Sequence, residues 1–370
     1  MKRSYGWRGA VAAGALAVLG LGAAPARADT GWHSVASPFV PGGTLAGVAA
    51  MAPGDAWAVG TYYHIGSTVF DHPRPVMQRW TGSGWQGYPL PNGLYDASLD
   101  AVAATSRTDA WAAGYTSSAY QVGKNWILHW DGTSWTQVHI AEGDDGAAGT
   151  ASVDARPGNV WVSFDYHEVF RVSGGSAERV PLTGPAQEIS IARIRVGDGA
   201  GTWAAGRHGH WDGQWAYYPD TAQWDGRTWT EHPINVWPAT ARATDVLPLG
   251  AGDVWAIGQS DDPSVPPFLA HWDGTAWRNV PLPGAGPATR ATLAPDGRGG
   301  AYASGMAGDV QGAPMVLHLD PATGAWSRVE IPQSAGTWNS VLTGLSVTPG
   351  GTAMWGVGKS ALGTLVMTTG

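Results

Sequence analysis

The chain has no cysteine, only three lysines (Lys2, Lys124, Lys359) among its 370 residues, and no helical heptad pattern. Each absence excludes something. Without thiols there is no disulfide framework, so an exported fold must be held by its core alone. About 340 residues beyond the leader are enough to bury one. Without heptads, coiled coils and helical bundles drop out. Basic residues are scarce overall, and the formal net charge of −8 argues against nucleic acid as a partner. Beyond residue 24 no apolar run is long enough to cross a bilayer, so no membrane span is expected.

What is present is equally uneven. Lys2, Arg3 and Arg8 precede the apolar run AVAAGALAVLGLGAA (10–24), and ARA (26–28) offers a small-x-small cleavage site before Asp29. Residues 1–28 therefore read as a secretory signal peptide, and the mature protein is expected to be extracellular. The rest carries most of the 54 glycines, 26 prolines and 22 tryptophans. Short β-branched and aromatic runs alternate with Gly/Pro/Asp turns, which is the composition of an all-β protein.

Three phrases recur. The first is Asp-x-Trp-small-x-Gly, in DAWAVG (55–60), DAWAAG (109–114), NVWVSF (159–164), TWAAG (202–206), DVWAIG (253–258), AYASG (301–305) and AMWGVG (353–358). A second, such as ILHWDGTSWTQVHI (127–140) or LAHWDGTAWRNVPLP (269–283), follows the first six copies and holds a tight turn between two strands. A third, such as LDAVAATSRT (99–108), precedes each copy as one more apolar strand. Four strands, a to d, in every stretch of roughly 40–50 residues make a propeller blade. Seven copies predict a seven-bladed β-propeller with four antiparallel strands per blade, in one domain over 29–370. The last unit lacks a strand d, and GWHSVASP (31–38) matches that phrase. The N-terminal strand is thus expected to complete the last blade and close the ring, leaving no exposed edge.

LDPATGAWSRVEIP (319–332), with a glycine after each strand b, resembles kelch repeats, and WDGTSW (130–135) resembles the Asp-box turn of sialidase-type propellers. The kelch Gly-Gly doublet and the Ser/Thr that opens an Asp-box are missing here. Abundant Ala, Gly and Arg over Lys resembles secreted proteins of high-GC actinobacteria. These resemblances imply the fold and leave the chemistry open.

In such a ring the b–c and d–a loops share one face, here called the top. The a–b and c–d turns, short and repetitive, share the bottom. The b–c loops are long and unlike one another, so the top is the expected functional face. Sixteen tryptophans recur in register on strands b, c and d and read as packing between blades. Trp211, Trp215, Trp237 and Trp338 fall out of register. Together with Tyr62, Tyr63, Tyr95, Tyr217 and Tyr218 they are candidate ligand-binding rings, because aromatic faces stack on sugars and anchor protein interfaces. HWDGQW (210–215) imitates the strand c–d phrase but lies eight residues after Trp203. It is predicted to be a top hairpin turning at Asp212–Gly213, lifting Trp211, Trp215, Tyr217 and Tyr218 with His208 and His210 at its base.

His129, His271 and His318 share one strand-c position and read as structural. His64, His72, His167, His208 and His210 lie on top loops, with Asp71, Asp165, Glu168 and Asp220 nearby. No HExxH or acidic calcium loop accompanies them, so they read as solvated polar loops, and neither metal nor cofactor is expected. On strands a, Gly47, Ala101, Ala151, Arg193 and Asp245 count to one inward level, and Ala49, Ala103 and Arg195 to the next. Arg193, Arg195 and Asp245 must pair if buried. They either plug the channel or, with Arg242 and Arg290, form an anion-binding centre. The expected function is a secreted, non-catalytic binding protein, monomeric by itself. Its ligand is a glycan or an extracellular protein surface, the latter also as part of a larger assembly. The alternative is a hydrolase or lyase, sialidase-like or metal-assisted, at the top of the central funnel.

Overall fold

The computed structural model describes residues 31–370 except 39, 64–72, 93, 95, 117–122, 141–148, 166, 174, 212, 214, 239, 263, 285–287, 308–313 and 332–339. Residues 1–28, expected to be a signal peptide, and Trp338, Tyr95, His64, His72, Asp71 and the Asp212 half of the proposed turn lie outside the described residues. Seven antiparallel blades follow one another as expected. Blade four runs Ile189–Gly197, Gly201–Trp211, Trp215–Trp224 and Trp229–Glu231. Blade seven runs Val341–Val347, Met354–Lys359 and Thr364–Thr368, and His33–Ser34 completes it, pairing His33 with Thr368. One addition was not foreseen: His139–Ile140, beyond strand d of blade two, pairs in parallel with strand d of blade three.

The repeated phrases have mechanical reasons. In six blades strand a carries a bulge opposite the end of strand b, as between Leu45 and Gly47 or between Ile191 and Arg193. The bulge presses a strand-a carbonyl against the glycine that ends the Asp-x-Trp-small-x-Gly phrase. A Cβ at Gly60 would lie 2.1 Å from the Thr44 oxygen, and one at Gly114 1.9 Å from the Ser98 oxygen. Only glycine tolerates this approach. Blade three has Phe164 at that position, and its strands a and b pair without a bulge. The a–b turn of blade three is also one residue tighter, since it lacks the second bulge that blade one carries between Ala50 and Ala52, so the inward level assigned to Ala151 belongs to Ser152, the partner of Ser163.

The tryptophans interlock around the ring. Five strand-d rings meet, edge to face, the strand-b ring of the preceding blade: Trp135 on Trp57, Trp229 on Trp161, Trp277 on Trp203, Trp326 on Trp255 and Trp85 on Trp355. The planes cross at 72–88° with centroids 5.1–6.2 Å apart, the favoured aromatic geometry. Trp32, before the closing strand, is buried in the cluster that also contacts Tyr302. The strand-c histidines take the structural place expected of them. His129, His271 and His318 stack on Trp111, Trp255 and Tyr302 and hydrogen-bond Asp109, Asp253 and Asp296 at 2.8–3.0 Å. In blade one Arg79 fills the same role, with a bidentate bond to Asp55 and its guanidinium over Trp57. At the c–d turns Asp131, Asp225 and Asp273 accept two backbone N–H bonds each, with the following glycine at φ of 93–104°.

Strands a line the axis, and among the described residues no backbone ladder joins them there. Side chains stitch them instead: Ser152 Oγ accepts from Ile194 N–H, Asp154 Oδ2 from Val196 N–H, and Thr343 Oγ1 donates to the Leu45 carbonyl.

Candidate functional site

The b–c hairpin of blade four stands where the out-of-frame phrase predicts it. Strand b continues to Trp211 and strand c starts at Trp215, with Gly213 at φ +106° in the turn. A two-residue period sorts its side chains onto two faces. One face carries Arg207, Gly209, Trp211, Trp215 and Tyr217, and the other His208, His210, Tyr218 and Asp220. Tyr218 thus parts from the other three rings, because it pairs with His208 while Tyr217 pairs with Gly209.

The aromatic face is open to solvent. Trp211 is 59% exposed and Trp215 60%. The Trp215 and Tyr217 planes differ by 13° with centroids 6.0 Å apart, and Trp211 leans on Trp215 at 57°. Both Trp215 and Tyr217 lie against Gly209, where a Cβ would come within 3.2 Å of each ring. The glycine lets the two rings lie flat across the opposite strand. Arg207 continues the row: its guanidinium is 4.3 Å from the Tyr217 centroid and forms an ion pair with Asp261 of blade five at 3.1 Å. Cation–π and ion-pair contacts therefore brace the hairpin base against the neighbouring blade.

On the other face, strands b, c and d bring His208, Asp220 and Glu231 together. His208 Nδ1 and Asp220 Oδ2 share a hydrogen bond of 2.8 Å, and Glu231 Oε1 lies 3.9 Å from the same nitrogen. Asp220 is fully buried. Burial first, then the hydrogen bond and charge of Glu231, push its carboxyl far above the usual carboxylate range, against the Thr221 N–H that it accepts. Tyr218 stacks on His208 at 5.4 Å, and His210 is exposed two residues further along. Glu231, on strand d opposite Ala222, was not among the sequence candidates.

The remaining candidates divide. Tyr63 is half exposed on strand b of blade one, while Tyr62 packs partly against the core. Trp237 is corrected from a surface ring to a core one. It is 6% exposed and tilts on Phe268 with its edge over Gly258, filling the corner between blades four and five. Arg193, Arg195 and Asp245 meet in the channel as predicted, in the plugging arrangement. Arg195 binds both Asp245 oxygens at 3.0 and 2.7 Å and the Leu293 carbonyl at 2.9 Å, while Arg193 lies 3.6 Å away. Thr292 Oγ1 and the Leu293 N–H donate to the same carboxylate. Burial pushes the Asp245 carboxyl up, but the two arginines outweigh it and hold it below the usual value. Asp245 is itself the anion these arginines hold. Arg242 lines a top cavity of about 200 Å³ with Asp165 and Arg207. A wider cavity of about 460 Å³ opens on the bottom face, among Ala49, Ala103, Asp154, Arg195 and Ser346.

No protein-family profile matches the chain, and no curated protein does. Solved structures do. YCF48 from Cyanidioschyzon merolae superposes with a TM-score of 0.57 and 12% identity, over 91% of this chain and 98% of its own. The WD40 propeller domain of Doa1 gives 0.58 and 12% over 91% and 96%. The GH74 xyloglucanase from Xanthomonas campestris gives 0.56 and 15% over 90% of this chain, which spans 53% of that enzyme. At such identities the likeness establishes the seven-bladed fold alone.

Proposed function

We propose that the protein is an exported, non-catalytic binding module that grips a glycan with the aromatic face of the blade-four hairpin. The observation that carries this reading is the row Arg207, Tyr217, Trp215, Trp211, with two nearly parallel rings laid flat over Gly209. Large rings are normally buried, and Trp211 and Trp215 keep more than half of their surface in water. Flat rings offer apolar faces to the C–H faces of sugars, while Arg207 supplies hydrogen bonds at the rim. The Lys/Arg-apolar-ARA leader supports export. The repeated c–d turns and single strand-b glycines support the kelch- and Asp-box-like character of the scaffold.

The test is a glycan array and an insoluble-polysaccharide pull-down with wild type and Trp211→Ala/Trp215→Ala. The variant folds as before, because both rings are exposed. Its capture of the preferred glycan falls at least about tenfold, the factor that corresponds to 1.4 kcal/mol. Undiminished capture by the folded variant refutes this site. A wild type that takes no glycan but captures extracellular proteins through the same rings refutes the ligand class.

A further inference from the structure

We propose that His208, Asp220 and Glu231 form a binding site for a divalent transition metal, Zn²⁺ in the first instance, beneath the blade-four hairpin. The three residues come from three adjacent strands, b, c and d, and project from one face of the blade. One donor atom from each lies within 4.8 Å of the other two. In a tetrahedral site with bonds of about 2.0–2.1 Å, donor atoms stand about 3.3 Å apart. The observed separations of 2.8 and 3.9 Å from His208 Nδ1 bracket that spacing. Shifts of about half an ångström in the partly exposed His208 and Glu231 side chains reach it.

The surroundings are those of a positioned ligand set. Thr221 N–H occupies Asp220 Oδ1 and leaves Oδ2 turned toward the imidazole, and the Tyr218 ring fixes the plane of His208. Two acidic side chains, one of them fully buried, stand beside one imidazole and present donor atoms that a single cation could share. One imidazole and two carboxylates, without sulfur, suit Zn²⁺ or Mn²⁺. The imidazole and the small number of oxygens disfavour Ca²⁺. Bound metal would pin three strands together at the root of the aromatic hairpin. The proposal stands apart from the glycan reading, since it concerns the opposite face and a different ligand.

The experiment uses the untagged, chelator-treated full chain and titrates it with ZnCl₂, MnCl₂ and CaCl₂ by calorimetry. One equivalent of Zn²⁺ per chain is expected, bound at least tenfold more tightly than Ca²⁺. X-ray absorption should show an all-N/O shell, and Tm should rise with the logarithm of Zn²⁺ concentration. Glu231→Gln, at a partly exposed position, keeps the fold even if Asp220→Asn does not, and should weaken Zn²⁺ binding at least tenfold. Absence of saturable Zn²⁺ uptake by folded wild type, or uptake unchanged in folded Glu231→Gln and His208→Ala, overturns the proposal.

Discussion

Asp245 has no exposed surface and holds two arginines, a threonine hydroxyl and a backbone N–H of the next blade. Removing one partner of such a buried set costs more than the set contributes, because the remaining charges stay desolvated. Asp245→Ala should therefore lower unfolding stability by about 3–5 kcal/mol, read as a shifted urea midpoint at unchanged slope. A loss below about 1 kcal/mol would mean that water already solvates Arg195. The convergence of Arg193, Arg195 and Asp245 was legible from two-residue parity plus the cost of lone buried charges. The contribution of Thr292 and Leu293 was not, since it depends on how far a guanidinium reaches across the channel. Trp237 was misread for a related reason: a loop tryptophan outside the repeat carries no periodic label, and its burial is decided by Phe268, some thirty residues on.

The c–d turn is an element whose chemistry predicts a pH response. Asp131, Asp225 and Asp273 accept their turn hydrogen bonds more strongly as carboxylates: the Thr133 and Thr275 hydroxyls first and then the backbone N–H groups hold Asp131, at about 2, and Asp273 below the usual range, and backbone N–H bonds do the same for Asp225. The folded value lies below the unfolded one, so the turns stabilise the fold above about pH 4. That stability is lost as pH falls toward 2. Asn at all three positions keeps the turn geometry and removes the titration. The triple variant should show a flatter dependence of Tm on pH between 4 and 2 than wild type, and parallel curves would show that other carboxylates govern acid unfolding. At this scale the sequence was largely readable, because turn residues and strand-b tryptophans repeat. The bulge was hidden, although its mark stood in plain view as the repeated glycine and its exception, Phe164. The hairpin's existence was readable from the broken spacing of Trp211 and Trp215. Its two faces were not, since the face on which each side chain falls depends on the register of strand pairing.

A ring of seven blades makes every blade interface equivalent in kind, yet one blade is assembled from the two ends of the described chain. Strand d of blade seven pairs His33 with Thr368, and Trp32 is 3% exposed against Leu342, Met354 and Leu365. Opening that seam would expose two sheet edges and interrupt the tryptophan interlock at blade six, so stability of the whole ring should respond to this short strand. The absence of cysteine permits a clean test. Directly opposed residues of an antiparallel pair have Cα atoms about 4.5–5.5 Å apart, within the range a disulfide spans. His33→Cys/Thr368→Cys introduces the chain's only thiols and should oxidise without competing pairings. Comparing oxidised with reduced protein cancels the loss of the Thr368 hydroxyl bond to the Met354 carbonyl. The bridge closes nearly the whole chain into one loop, so oxidation should add roughly 2–4 kcal/mol. At the usual unfolding entropy per residue, Tm then rises by about 3–6 °C. A seam that is open in solution gives no bridge under mild oxidant, or a bridge that leaves Tm where it was.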